Sequence, residues 1–246
     1  MTVLLLASVS FVSWFVSLLA GGGSPLLLIP LVSFLLGLQA VAPVITVGLL
    51  IGHLQRIYLF QEEINWESTY WYMPGAIAGA GIGAYVLKQI HWDGLQIILG
   101  LVLVGMALYH WWGRLQPSWA VQAWLFLPMA LVNGVGSSLI GSTGPLTNPV
   151  YLQFGLQKEE FLATKSLHTS VLHLAKILSY LLLGLLQPDY FYYGMVIGVA
   201  SFPANWLAKK VLAQMSAEHF TRAVFVLMAV TGVWMVWDQW RGQLAV

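Results

Sequence analysis

Cysteine is absent from this 246-residue chain, and Asp, Glu, Lys and Arg together make up only 8% of it. Without a thiol there are no disulfides, no thiolate metal sites and no thiol-relay chemistry. A soluble domain carries roughly one quarter charged residues. Such scarcity, beside 59% apolar residues, excludes an ordinary soluble fold. No polar stretch is long enough for a separate soluble domain, which argues against an ATP-driven engine within the chain. The net charge of +1 comes from scattered basic residues, so nothing marks a nucleic-acid surface. The carboxylates are placed as sparingly as they are used. Glu62, Glu63, Glu67, Asp93, Glu159, Glu160, Asp189, Glu218 and Asp238 all fall in loops or at the ends of apolar segments.

What remains is a series of long apolar runs, near 2–20, 25–38, 42–60, 69–87, 95–113, 119–140, 145–156, 161–186, 190–208 and 220–240. Most have the roughly 20 residues that a spanning helix requires. They are too continuous for the alternating pattern of a membrane barrel. The expected class is therefore an all-α integral membrane protein, a polytopic helical bundle embedded in a lipid bilayer. The stretch Val3–Ala20 lacks the basic region of a secretory signal and is matched by 121–140, so it reads as part of the fold. Trp66, Trp71, Trp92, Trp111, Trp112, Trp237 and Trp240 lie near segment ends, as an interfacial aromatic belt would place them.

Two runs, 25–38 and 145–156, are too short for a comfortable crossing, and each follows a glycine break. The first break reads Gly21-Gly22-Gly23-Ser24-Pro25 and the second Gly141-Ser142-Thr143-Gly144-Pro145. The pentapeptide His53-Leu54-Gln55-Arg56-Ile57 returns as His173-Leu174-Ala175-Lys176-Ile177 at the same separation. The chain thus reads as two structural repeats, 1–115 and 116–246, within one membrane domain. Each would hold a glycine-broken or re-entrant helix followed by three transmembrane helices. Parallel and inverted halves both stay open, because Lys88, Lys209, Lys210 and Arg222 do not divide decisively between the two sides; architectural precedent favours inversion. Gly75, Gly79 and Gly83 lie at helical four-residue spacing and predict close helix packing, although the run Gly79–Ala84 also matches a dinucleotide fingerprint.

The breaks carry the first candidate chemistry. A helix that starts inside a membrane presents free N–H groups and about half a positive charge, which favours an anion. Gly22, Gly23, Ser24, Ser142, Thr143, Gly144 and Asn148 are the expected substrate-binding residues there, with Pro25 and Pro145 suited to a first helical turn. The second constellation is the stripe Lys165, His168, Thr169, His173 and Lys176 on one helical face, with Thr46, His53 and Arg56 as a sparser counterpart. Lys176 lies too deep to snorkel to an interface, and an intramembrane cation marks a functional site by default. Lys176, Arg56 and Lys165 are thus expected to supply positive potential to an anionic substrate. His53 and His173 are the proton-coupling candidates. No catalytic residue, metal or cofactor is expected. Two rival readings stay open: an intramembrane serine/histidine hydrolase using Ser142 with His168 or His173, and a haem- or metal-handling protein using His53, His168 and His173.

The opening Gly21–Pro30, the Gly37-Leu38 pair, the second copy Gly141–Pro149 with Gly155-Leu156, and the small-residue run Gly75–Gly81 resemble the TauE/SafE sulfite-exporter family over essentially the whole chain. The resemblance implies a multi-pass permease of the bacterial inner membrane for sulfite or organosulfonates such as sulfoacetate. A homodimer is compatible with it. The second break departs from the family's glycine run, and Ser142 and Thr143 add hydroxyls there.

Overall fold

The computed structural model describes residues 2–89, 104, 108 and 121–244. The expected helix 95–113 apart from residues 104 and 108, the boundary between the halves, and Trp92, Asp93, Trp111 and Trp112 lie outside the described residues. Every regular element among the described residues is helical. In chain order these are α1 (Thr2–Leu19), α2 (Pro25–Leu36), α3 (Leu38–Leu59), α4 (Trp66–Gln89), α5 (Phe126–Ile140), α6 (Gly144–Gln153), α7 (Lys158–Leu182), α8 (Pro188–Leu212) and α9 (Ala217–Leu244). Short 3-10 turns cover Gln61–Glu63 and Ala123–Leu125. The apolar segments that fall on described residues match these helices to within a few residues, except that α5 begins at Phe126, well after the start of the run 119–140.

The distribution of polarity is inverted relative to a soluble protein. Arg56, Lys165, His168, His173 and Lys176 are buried, whereas Phe34 is 86% exposed and Leu182 88%. In water such an exterior would aggregate; against lipid it is favourable. Helix α1, residues Gln39–Leu59 of α3 and residues Ala123–Ile140 are long and apolar enough to cross a membrane. Trp66 and Trp71 at the start of α4 are exposed, as the aromatic belt requires, but Trp14 is fully buried in the core.

Helices α3 and α7 pack on one another at the centre. Helix α4 lies against α5 and α7, and α8 against α1 and α3. The two short helices occupy similar settings, α2 beside α1 and α3, α6 beside α5 and α7. Close approach is built into two of these seams. A side chain at Gly75, Gly79 or Gly83 would run into the backbone oxygens of Leu127, Leu131 and Val135 on α5, and Gly194 and Gly198 meet Val47 and Ile51 on α3. The four-residue glycine spacing of α4 is therefore a packing face. Gly81 has open space around it. Gly79→Leu is expected to abolish folded yield or lower the melting temperature by many degrees, and Gly81→Leu to leave both near wild type; size-exclusion profiles and melting curves of the two variants check this.

Candidate functional site

The first break needs its glycines. Gly21, Gly22 and Gly23 have φ of 65°, 132° and 98°, a run of left-handed conformations that side chains disfavour. At the second break only Gly141 is left-handed, with φ 95°. That difference explains why Ser142 and Thr143 are accommodated there. Each break opens on a backbone bond returning to a serine: Gly22 N–H donates to Ser17 O at 2.7 Å and Gly141 N–H to Ser137 O at 3.0 Å. Neither Ser24 nor Thr143, the residues preceding α2 and α6, caps its helix with its side chain. Instead Thr143 Oγ1 donates to Asn133 Oδ1 at 2.7 Å, and Ser142 Oγ accepts the Gly144 N–H at 3.3 Å.

The three buried cations among the described residues separate into three clusters. Lys165, projecting from α7, donates to Gly21 O at 2.7 Å and to Asn148 Oδ1 on α6. A Cβ on Gly22 would stand 2.8 Å from its ammonium nitrogen, so the glycine lets the backbone lie flush against the charge. One buried ammonium thus joins the first break to the second short helix. Lys176, expected as the deepest anion-binding cation, instead donates to Ser137 O at 2.8 Å, Ser137 Oγ at 3.1 Å and Gly141 O at 2.9 Å. These acceptors end α5, where the helix dipole is negative. Arg56 does similar work on α1: it donates to Trp14 O and Ser17 Oγ at 3.1 Å each, and its Nε donates to Asn205 Oδ1 at 3.0 Å. Its guanidinium also lies 4.8 Å from the centre of the Trp14 ring. Gly21 and Gly141, Ser17 and Ser137, and Arg56 and Lys176 share one separation along the chain.

Among the described residues the ion pairs are Lys158–Glu159 at 3.5 Å and Arg222–Glu218 at 3.2 Å, at the start of α7 and in the first turn or so of α9. None involves a buried cation. Glu67, Glu159, Glu160, Asp189 and Glu218 all stand in the first turns of their helices. Among the described residues the buried charge is positive, and the acceptors that hold it are neutral.

His53 and His173 face one another from α3 and α7 with ring centres 6.3 Å apart and planes 17° apart. His168 belongs elsewhere. Thr69 Oγ1 donates to Asn65 O at 2.7 Å, so it accepts from His168 Nε2 at 3.0 Å; His168 Nδ1 then accepts from Tyr151 Oη at 2.8 Å. The ring is stacked on Tyr72 at 4.1 Å, and Asn133 donates to the Tyr72 hydroxyl at 3.1 Å. Both nitrogens being engaged, His168 fastens α6 and α4 to α7. His168→Ala leaves two buried hydroxyls short of a partner, a loss of about 1–3 kcal/mol each. The expected result is a clearly lower melting temperature, read by the same thermal assay.

Sequence reasoning missed Ser17, Ser137, Asn133, Tyr72, Tyr151 and Asn205. The two serines carried a usable signal, since they share the spacing of the breaks. Asn205 carried none.

Comparison with known proteins returned one family match. A family model described as "Sulfite exporter TauE/SafE" matches residues 5–235. No curated protein matches, and no solved structure matches.

Proposed function

The chain belongs to the TauE/SafE sulfite-exporter family, a family of membrane transporters and not of enzymes, and from that premise we propose that it moves a sulfur oxyanion, sulfite or an organosulfonate, through a site at its paired glycine breaks. Family membership sets aside the hydrolase reading of Ser142. The observation that carries the proposal is Lys165, a buried cation with no carboxylate partner among the described residues, resting on the carbonyl of one break and on the short helix that follows the other.

In this reading Lys165 and Asn148 contact the oxyanion, together with N–H groups from Gly22, Gly23, Ser24 and the start of α6. Binding displaces part of the Lys165–Asn148 contact and gives the ammonium a charged partner. Ser142, Thr143 and Gly144 shape the start of α6 through their own hydrogen bonds. Lys176 and Arg56 hold the ends of α5 and α1 in place and add to the positive field. They are positioning residues.

The two-repeat organisation, divided near residues 115 and 116, is part of the same proposal. Exchanging the halves exchanges α1 with α5, α2 with α6, α3 with α7 and α4 with α8. The packing respects that exchange: α4 on α5 answers α8 on α1, and α3 on α8 answers α7 on α4. Gly21 lies near Phe161, and Gly141 near Val41, the positions that exchange in the same way. The symmetry breaks where it matters for charge. Gly21 has Lys165 beside it, whereas Gly141 has Ile45 at the equivalent position. Two repeats around a shared site suit alternating access by rocking, with the glycines as hinges.

The experiment is flux from proteoliposomes loaded with sulfite, sulfoacetate, sulfate, phosphate or acetate. Saturable movement of a sulfite or sulfonate, competed by its chemical relatives, is expected. Equal movement of all five anions, or of none, would contradict the proposal. The bacterial inner membrane and a homodimer belong to the same proposal; mass photometry in detergent checks the latter.

A further inference from the structure

Six buried polar atoms among the described residues have no hydrogen-bond partner: Ser13 Oγ, Trp14 Nε1, Thr46 Oγ1, Ser170 Oγ and both ring nitrogens of His173. All six stand on α1, α3 or α7. These helices meet where the Trp14 and His53 rings touch edge to face at 5.4 Å and His53 stacks on His173. An unpaired buried polar group costs about 1–3 kcal/mol, and native proteins retain such groups chiefly where they have work to do. His173 is the strongest case. It is 1% exposed, deep in the bundle, with two free nitrogens. His53, its counterpart under exchange of the halves, has Nδ1 3.3 Å from Ser166 Oγ.

Resting on the oxyanion site above, we propose that His53 and His173 form a proton-binding site that fills together with the anion. The electrostatics of the surroundings give the reason. Arg56 and Lys165 are within electrostatic reach of His53, and Lys176 is within reach of His173. Helix α1 has no titratable side chain and sets the neutral Trp14 ring against His53. The acidic residues Glu67 of α4 and Asp189 of α8 stand in first turns, away from the pair. Tyr72 of α4 and Tyr151 of α6 are engaged with Asn133 and His168, and Tyr180 of α7 donates to Ser138 O at 2.7 Å. A proton arriving at the pair therefore joins three cations and finds no carboxylate among the described residues. An oxyanion at Lys165 supplies the missing negative charge. Lys165 is next in sequence to Ser166, whose hydroxyl contacts His53, so the cation that would hold the anion adjoins a residue in contact with the pair.

The proton resides on a His173 nitrogen or on the free side of His53. Two stacked imidazolium rings would repel, so the pair holds a single proton. Because linkage is reciprocal, an anion that favours the proton is favoured by it to the same extent. The device ties the oxyanion to a proton as its travelling companion, so that a monovalent anion and its proton together add no net charge to the carrier.

The test is calorimetric titration of the purified full chain with methanesulfonate, whose charge is fixed across the working pH range. It is run in two buffers of different ionisation enthalpy. Wild type is expected to take up a proton fraction approaching about one per anion bound, and to bind more tightly as pH falls. His173→Gln is expected to bind methanesulfonate more weakly, with no proton uptake and an affinity independent of pH. His53→Gln should reduce the uptake as well. Binding to wild type without proton uptake would overturn the inference and leave the oxyanion site standing. Uptake unchanged in both histidine variants would also overturn it, by placing the proton elsewhere. Failure of methanesulfonate and of every other sulfonate to bind would remove the oxyanion site and this inference with it.

Discussion

Lys165→Met is expected to weaken oxyanion binding by about 2 kcal/mol or more, roughly thirtyfold, and to abolish measurable transport. The ammonium has two neutral partners, the Gly21 carbonyl and the Asn148 side-chain oxygen, and both are weaker acceptors than an oxyanion. Methionine fills a similar volume and removes the charge. The cost falls on the bound state, because in the proposed complex the anion completes the coordination of Lys165. Some local loosening is also expected, since the ammonium ties α6 to the first break. Lys165→Arg is no conservative control. Gly22 lies flush against the ammonium, and a planar guanidinium needs room that this backbone does not give. Flux in proteoliposomes together with the melting temperature separates the two effects: flux lost with modest destabilisation supports a binding role.

Lys176→Met is expected to act in the opposite way. Its ammonium serves the Ser137 and Gly141 carbonyls and the Ser137 hydroxyl where α5 ends. Removing it leaves those buried oxygens without their donor, a destabilisation of about 3 kcal/mol or more. Folded yield and melting temperature should fall sharply. The anion affinity of the protein that does fold should remain within a few-fold of wild type. A stable Lys176→Met variant that has lost anion binding would return Lys176 to the site itself. Arg56→Met should resemble Lys176→Met, because it frees the corresponding end of α1 and also releases Asn205.

These contrasting expectations mark where the sequence is readable. The helices α1 to α4 and α5 to α9 could be read from apolar run lengths, and the broken elements from glycine followed by proline. The stripe on α7 followed from three- and four-residue spacing, and the tight α4–α5 seam from Gly75, Gly79 and Gly83. What a cation touches is a different matter. The partners of Lys176 are mostly backbone carbonyls, and every residue has a carbonyl, so no side-chain pattern announces them. Depth in the membrane suggested that Lys176 was waiting for an anion; the end of α5 already occupies it. Lys165 reads in the sequence only as another cation of the same stripe. Its importance comes from Gly21, distant in sequence, and from Asn148 on a separate helix, a meeting that periodicity cannot display. His168 illustrates the same limit. It lies on the polar stripe with His173, yet its two nitrogens are consumed by Tyr151 and Thr69, while those of His173 are free.

The central claim is that a sulfur oxyanion binds at the paired breaks through Lys165. It is tested most directly by the melting temperature of the purified protein against sulfite, sulfoacetate, taurine, thiosulfate, sulfate, phosphate and acetate. A ligand that binds only the folded state must raise that temperature. The account predicts a concentration-dependent rise with a sulfite or sulfonate, little response to acetate, and loss of the rise in Lys165→Met. A rise of equal size in wild type and Lys165→Met, or no rise with any of the seven compounds, would contradict it.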